Sequence, residues 1–180
     1  MDTSDTIEAL LAYEEIRQLV ARYAFSVDTR DLDRLVDLFV DDVDVGTLGT
    51  GRAALRTSFS EGLTPLGMTI LSVTTHVIDL VDDATATGEV YCTGEIERDG
   101  TLLRQQILYR DRYRKTHEGW RFVRREHLLW YSAPLGVDPR GLPQANWPKG
   151  HVGRGTVPEA FDSFRRFHHL EPTGEEAGSE

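Results

Sequence analysis

The chain has 180 residues, 39% hydrophobic and 28% charged, which suits one globular domain with a core and excludes disordered and fibrous classes. Its formal charge of −10 disfavours nucleic acid and anionic membranes as partners. No apolar run approaches the roughly 20 residues that span a bilayer. Cys92 is the only cysteine, so no internal disulfide is possible, and the acidic opening lacks the basic region of a secretory signal; a cytoplasmic setting is expected.

The opening segment carries the clearest helical signal. Asp5 and Glu8 form an Asp-x-x-Glu variant of a capping box, and Ile16, Leu19, Val20, Tyr23, Ala24 and Val27 recur at helical spacing. One face is therefore apolar and should bury against a broad surface such as a sheet. A short helix is expected over Leu32–Phe39, then a short strand Val43–Val45 and a glycine-punctuated turn. A third helix, Ala53–Leu63, should point Leu55 and Phe59 inward.

From Met68 the apolar period falls from about 3.6 to 2, which predicts four long strands: Thr69–Val81, Ala86–Arg98, Thr101–Thr116 and Trp120–Tyr131. Asp99-Gly100 is a strong hairpin signal, because a type I′ turn needs positive φ at both central residues. Helices followed by an antiparallel meander predict an α+β architecture, and the lack of βαβ alternation excludes a doubly wound sheet. Residues 132–156 hold four prolines and five glycines, so they should be irregular and wrap over the domain or a neighbouring subunit. Thr156 to Glu159, with Pro158 in the first turn, predicts a last helix to about His168, and the final ten residues read as frayed.

Charge is unevenly spread. Residues 1–45 hold twelve acids against four arginines, and residues 98–125 hold nine basic residues against three acids. Such halves complement each other within a fold or across an oligomer interface.

Several runs stand in a telling order: Ile16-Arg-Gln-Leu-Val-Ala-Arg-Tyr23, Val27-Asp28-Thr-Arg-Asp-Leu-Asp-Arg-Leu35, Leu38-Phe39 and Ala86-Thr-Gly-Glu-Val-Tyr91. Tyr109-Arg-Asp111-Arg-Tyr113, Gly119-Trp120-Arg-Phe122 and Arg125 come after them. In order and spacing, Ile7 to about Gly136 resembles SnoaL-like proteins of the nuclear-transport-factor-2-like superfamily. The resemblance implies a cone-shaped fold with N-terminal helices on a strongly curved antiparallel sheet, a small-molecule pocket between them, and homodimers or homotrimers. It divides the chain into a domain at residues 1–135 and an extension at 136–180 made of a loop, a short helix and a tail.

Members of that superfamily include scytalone dehydratase, bile-acid 7α-dehydratase, hexachlorocyclohexane dehydrochlorinase, ketosteroid isomerase and polyketide cyclases. They use acid–base chemistry without metal or cofactor, so none is expected here. The implied function is a cofactor-independent lyase or isomerase, dehydratase- or cyclase-like, acting on a small, largely apolar metabolite. The alternative is a non-catalytic ligand-binding or assembly subunit, like the small subunits of ring-hydroxylating dioxygenases.

Asp28 lies four residues after Ala24, on the buried side of the first helix and at its C-terminal end. Burial and the helix dipole both disfavour an anion there, which would make it a base; the resemblance places it in the dehydratase-like catalytic set. Capping the second helix is its competing role. Tyr23 shares the apolar face, either donating to a substrate oxygen or acting as a core ring. Counted forward from Asp28, His76 falls where relatives carry the histidine of a His–Asp pair; counted back from Ile78, that place is near Leu71 or Ser72. The strand is apolar on both parities, so the direction of His76 stays open.

Strict alternation along the fourth strand puts Arg121, Val123, Arg125, His127, Leu129 and Tyr131 on one face. Trp120, Phe122, Arg124, Glu126, Leu128 and Trp130 take the other. The resemblance makes Arg125 the pocket arginine, stabilising a developing anion, with His127 beside it as reserve acid–base. An ion pair between Arg125 and Asp111, and a satisfied core histidine, are the bland roles. Small residues at Gly88 and Gly94 leave volume on one face of the second strand, and Cys92 reads as inert core. The six histidines lack zinc-site spacing, and no phosphate-binding glycine loop or nucleophile elbow occurs.

Overall fold

The computed structural model describes residues 3–170, with side chains from Thr6 onward; the final ten residues and the Asp5 side chain lie outside the described part. The elements are α1 (Thr3–Thr29), α2 (Leu32–Asp37), α3 (Arg52–Leu63), β1 (Leu66–Leu80), β2 (Thr85–Arg98), β3 (Thr101–Thr116), β4 (Gly119–Pro134), β5 (Gly153–Arg154) and α4 (Asp162–Phe167). The five strands form one antiparallel sheet in the order β1-β2-β3-β4-β5. This is an α+β fold of the nuclear-transport-factor-2-like kind, with α1 lying against β1 and β4.

The apolar stripe on α1 is what seats it. Ile16 and Val20 are 0% and 1% exposed, and Leu19, Ala24 and Val27 are buried beside them. Truncating Ile16 to alanine would cost about 2–5 kcal/mol, since a packed core does not fully collapse around the void. The Asp99-Gly100 turn has positive φ at both residues, 51° and 72°, as a type I′ hairpin requires. Gly88 lets the Tyr113 ring lie close, because a Cβ there would meet that ring and the Val77 carbonyl at 3.0 Å.

Some boundaries differ from the sequence expectation. α1 is already helical at Thr3, and the capping role expected of the Asp5 side chain lies outside the described part. α2 stops at Asp37 because Leu38 to Val40 pair with β4: Phe122 N donates to Leu38 O (2.9 Å), and Val40 N to Phe122 O (3.0 Å). Val43–Val45 is no strand; Asp44 makes one isolated bridge to Thr50, around a 3-10 turn at Gly46–Leu48.

The segment expected to be irregular is partly ordered. β4 continues to Pro134 because Ser132 and Ala133 still pair with β3, and Gly153–Arg154 add β5 at Tyr131 and Ser132. The last helix begins at Asp162, not near Thr156. Gly155 N bonds Trp130 O (2.8 Å), Val157 N bonds Leu129 O (3.2 Å), and the Val157 side chain is buried. Pairing with the sheet edge occupies Gly155 and Val157; residues 157–160 then make one isolated turn, Ala160 N donating to Thr156 O (2.9 Å), and the regular helix follows only after Phe161.

Register irregularities decide which side chains face inward. β1 shifts between Val73 and Thr75, and β4 leaves Val123 and Trp130 without partners on β3. Each extra residue flips the parity of the rest of its strand. Thr69, Leu71 and Val73 therefore share the inner face with His76 and Ile78, opposite Ile96, Gly94, Cys92, Val90 and Gly88. On β4, Phe122 and Arg125 face the same way, against strict alternation: the Arg125 Cζ lies 4.4 Å from the Phe122 ring.

Candidate functional site

A cavity of about 450 Å³ opens between the C-terminal half of α1, α3 and the inner face of the sheet. Val27, Leu63, Leu71 and Ile107 give it apolar walls, and Trp147, Pro148 and His151 of the C-terminal extension complete them. Its polar lining includes Tyr23, Tyr109 and His127 at one end and Gln105 further along, with Glu61, Thr69, Arg98 and His151 also on its walls. A second cavity of about 650 Å³, reaching the Asp42–Gly46 loop, shares Tyr23, Phe59, Tyr109 and His127 with it and adds Arg125. The two meet at those four rings.

Arg125 anchors this end. It grips Asp111 with two hydrogen bonds, Nε to Oδ1 at 2.9 Å and Nη2 to Oδ2 at 2.6 Å, with side-chain exposures of 4% and 0%. Tyr113 donates its hydroxyl to the same carboxylate (2.7 Å), and His76 Nε2 lies 3.2 Å from that hydroxyl. The guanidinium carbon also sits 4.3 Å from the Tyr23 and Tyr109 ring centres, a cation–π enclosure. Burial alone would lower the Arg125 pKa, but the charge and hydrogen bonds of Asp111 override it and raise it. Arg125 Nη1 is buried without a protein partner.

His127 lies beside this cation. Its ring is 5.2 Å from Tyr109 and 4.5 Å from Trp147, whose indole N–H donates to the His127 carbonyl (3.3 Å). Its Nε2 is buried with no partner among the described residues. Burial, reinforced by Arg125, pushes its pKa down to about 4, so the imidazole is neutral near pH 7. Tyr23 and Tyr109 have rings 6.0 Å apart, and neither hydroxyl bonds another described side chain. Burial raises the pKa of both phenols, with Arg125 opposing, so both are protonated donors.

Tyr23, Arg125 and His127 are thus brought together. Asp28 and His76 are not. The Asp28 carboxylate accepts from Thr69 Oγ1 and from Leu71 N, both at 2.9 Å, and so ties the end of α1 to β1. It is absent from the cavity lining, where Val27, Thr69 and Leu71 stand instead. Of the positions that a backward count offers for the partner histidine, Leu71 or Ser72, the first holds Asp28 through its backbone N–H. The helix-capping role falls to Asp31, which accepts from Arg34 N (3.1 Å). His76 faces inward but is bonded to Tyr113; burial first, then Arg125 and Arg17, push its pKa down to about 4 against the opposing pull of Asp111. The expected His–Asp pair between positions 28 and 76 does not form.

Cys92 is buried core, its thiol pushed up to about 11 by burial. Among the described residues, no group of three or more His, Cys, Asp or Glu is placed to hold a metal ion, and no helix is long and apolar enough to cross a membrane.

Residues 8–126 match the family model described as the SnoaL-like domain. The chain belongs to this family. Among solved structures, an NTF2-like protein with a cystatin-like fold from Novosphingobium aromaticivorans is 27% identical, with a TM-score of 0.58 over 76% of this chain and 90% of that one. A provisionally assigned scytalone dehydratase from the same organism is 22% identical, TM-score 0.63, over 74% and 93%. A type-3 hexachlorocyclohexane dehydrochlorinase from Novosphingobium barchaimii is 18% identical, TM-score 0.64, over 74% and 96%. These likenesses show the fold. No curated protein matches the sequence.

Sequence reasoning missed three members of this SnoaL-like site: Tyr109, Gln105 and Trp147. Tyr109 and Gln105 flank Ile107 on one parity of a strand whose inner face was recognisable, so alternation could have flagged them. Trp147 had no local signal, since only tertiary folding brings it to His127.

Proposed function

We propose that this SnoaL-like domain is a cofactor-independent lyase or isomerase that moves a proton on a small, largely apolar molecule bearing a carbonyl. The observation that carries the reading is a neutral buried imidazole, His127, gathered with two unpaired tyrosine hydroxyls and the Arg125 cation at one end of an apolar cavity. The carbonyl oxygen accepts hydrogen bonds from Tyr23 and Tyr109. Negative charge that develops on it is favoured by Arg125 behind both rings.

His127 takes the proton from the carbon next to the carbonyl. The imidazolium so formed stands beside Arg125, where a second cation is unfavourable, so it gives the proton up readily. Delivered to another carbon, the proton completes an isomerisation. Delivered to a leaving hydroxyl β to the carbonyl, it completes an elimination: the C–H and C–O bonds break, a C=C bond forms and water departs. Solved neighbours described as a dehydratase and a dehydrochlorinase are consistent with the second outcome.

The test is solvent exchange. Cyclic ketones incubated with the protein in D₂O should lose α-protons faster than in buffer, followed by NMR, and His127→Gln should slow the enzymatic rate about 10²–10⁴-fold. Exchange that survives His127→Gln and Tyr23→Phe together sinks the assignment. A second reading, ligand binding without turnover, is favoured by Asp28 and His76 being bonded elsewhere. It predicts tight binding of such ketones with no exchange.

A further inference from the structure

The cavity has a second polar end that the proton transfer does not use. On the inner face of β3, Gln105, Ile107 and Tyr109 read polar, apolar, polar, and all three line the cavity. Tyr109 pairs across the sheet with His127 and belongs to the reacting end. Gln105, four residues from Tyr109 and so about 13 Å along the strand, pairs across the sheet with Ser132.

Gln105 is 3% exposed and Ser132 0%. The amide Nε2 donates to Ser132 Oγ at 3.3 Å, while Oε1 is buried with no partner among the described residues. Folded proteins rarely keep a buried side-chain oxygen unpaired. Turning the amide over would exchange an orphan oxygen for an orphan NH₂, so one polar atom is left over either way. A hydroxyl is the small group that complements both arrangements.

We infer that Gln105 is a specificity-determining residue, its Oε1 accepting a hydrogen bond from a ligand hydroxyl carried at the end remote from the reacting carbonyl. The inference rests on the cavity being the ligand site of the proposed function. The spacing from Gln105 to Tyr109, shortened by the inward reach of both side chains, matches two or three rings. The walls between them, Ile107 and Leu71, require an apolar middle. The substrate class is therefore an elongated ring ketone with a phenolic or alcoholic hydroxyl at its far end. A ligand lacking that hydroxyl leaves Oε1 buried and unmet, which is how a site built around a hydroxyl discriminates against its absence.

Flavanone, 4′-hydroxyflavanone and 4′-methoxyflavanone serve as probes, because each has a ketone at one end and the varied group at the other. Titration calorimetry on the full chain should show 4′-hydroxyflavanone binding about tenfold more tightly than flavanone, and the methoxy compound gaining nothing. In Gln105→Leu the advantage of the hydroxyl disappears because flavanone now binds about as tightly as 4′-hydroxyflavanone, no buried oxygen being left unmet. The wild-type comparison needs no variant to fold. Equal wild-type affinities for the hydroxy and parent compounds overturn the Gln105 assignment and leave the cavity reading standing. Failure of all three to bind overturns the cavity reading, and this inference with it.

Discussion

The Arg125–Asp111 pair is the structural pivot of the site, and its removal has a calculable effect. Asp111 is 0% exposed at its side chain and Arg125 4%, so neither charge is solvated by bulk water. Asp111→Leu leaves a guanidinium buried among three aromatic rings and strips Tyr113 of its acceptor. Arg125→Met leaves a carboxylate held only by the Tyr113 hydroxyl. Each single change breaks a buried pair and should cost about 3–5 kcal/mol. In a chain of this size that lowers Tm by roughly 6–20 °C, at about 2–4 °C per kcal/mol.

The double variant removes both charges together. Since exchanging a buried pair for apolar groups of similar volume is often neutral, it should return to within about 2 kcal/mol of wild type. Urea unfolding followed by tryptophan fluorescence measures all four corners of the cycle. If the single losses simply add in the double variant, or each single costs under about 1 kcal/mol, the pair is not the buried, desolvated unit described here.

Asp28→Ala removes two hydrogen bonds joining α1 to β1 and should destabilise the fold by about 2 kcal/mol while leaving flavanone binding unchanged. Lost α-proton exchange at wild-type stability would instead restore Asp28 as the base. Acid should weaken the fold through its histidines. His127 titrates near 4 when folded and near 6.5 when unfolded, so the unfolded chain binds more protons between those values. Stability is complete above pH 6.5 and falls as pH drops toward 4, by about 3 kcal/mol from His127 and less from the half-buried His76. Denaturation midpoints at pH 7 and pH 4.5 test this; a His127→Gln profile as steep as wild type would refute it. Gly155→Ala would place a Cβ 1.7 Å from the Leu129 carbonyl oxygen, so the edge pairing of residues 153–157 should break. Limited proteolysis should then cut between residues 136 and 160 at least tenfold faster, whereas unchanged cutting would show that the edge tolerates the methyl.

Local chemistry fixed the elements whose determinants are near in sequence. The α1 stripe, the Asp99-Gly100 hairpin and the four long strands arise from periodicity and turn residues, and with them the α+β class and the position of Tyr23 on an inner face. The Arg125–Asp111 pairing was also legible, since both sit at matching places on adjacent strands. What periodicity misses is a residue that breaks it. The irregularities at Val73–Thr75 and Val123 bring His76, Phe122 and Arg125 to one side, the one at Trp130 adds Ser132, and no local pattern announces an extra residue in a ladder.

The partners of Asp28 were equally hidden, because one is the Thr69 hydroxyl far along the chain and the other a backbone N–H at Leu71, which every residue type but proline offers. Trp147 reaches His127 only because β5 and the extended run to Val157 pin the extension to the edge of β4. Short-range forces chose the helices and strands of this protein. The cavity and its pairing of charges arose from contacts between residues far apart in the chain, whose meeting depends on register and on a sheet edge that exists only after folding.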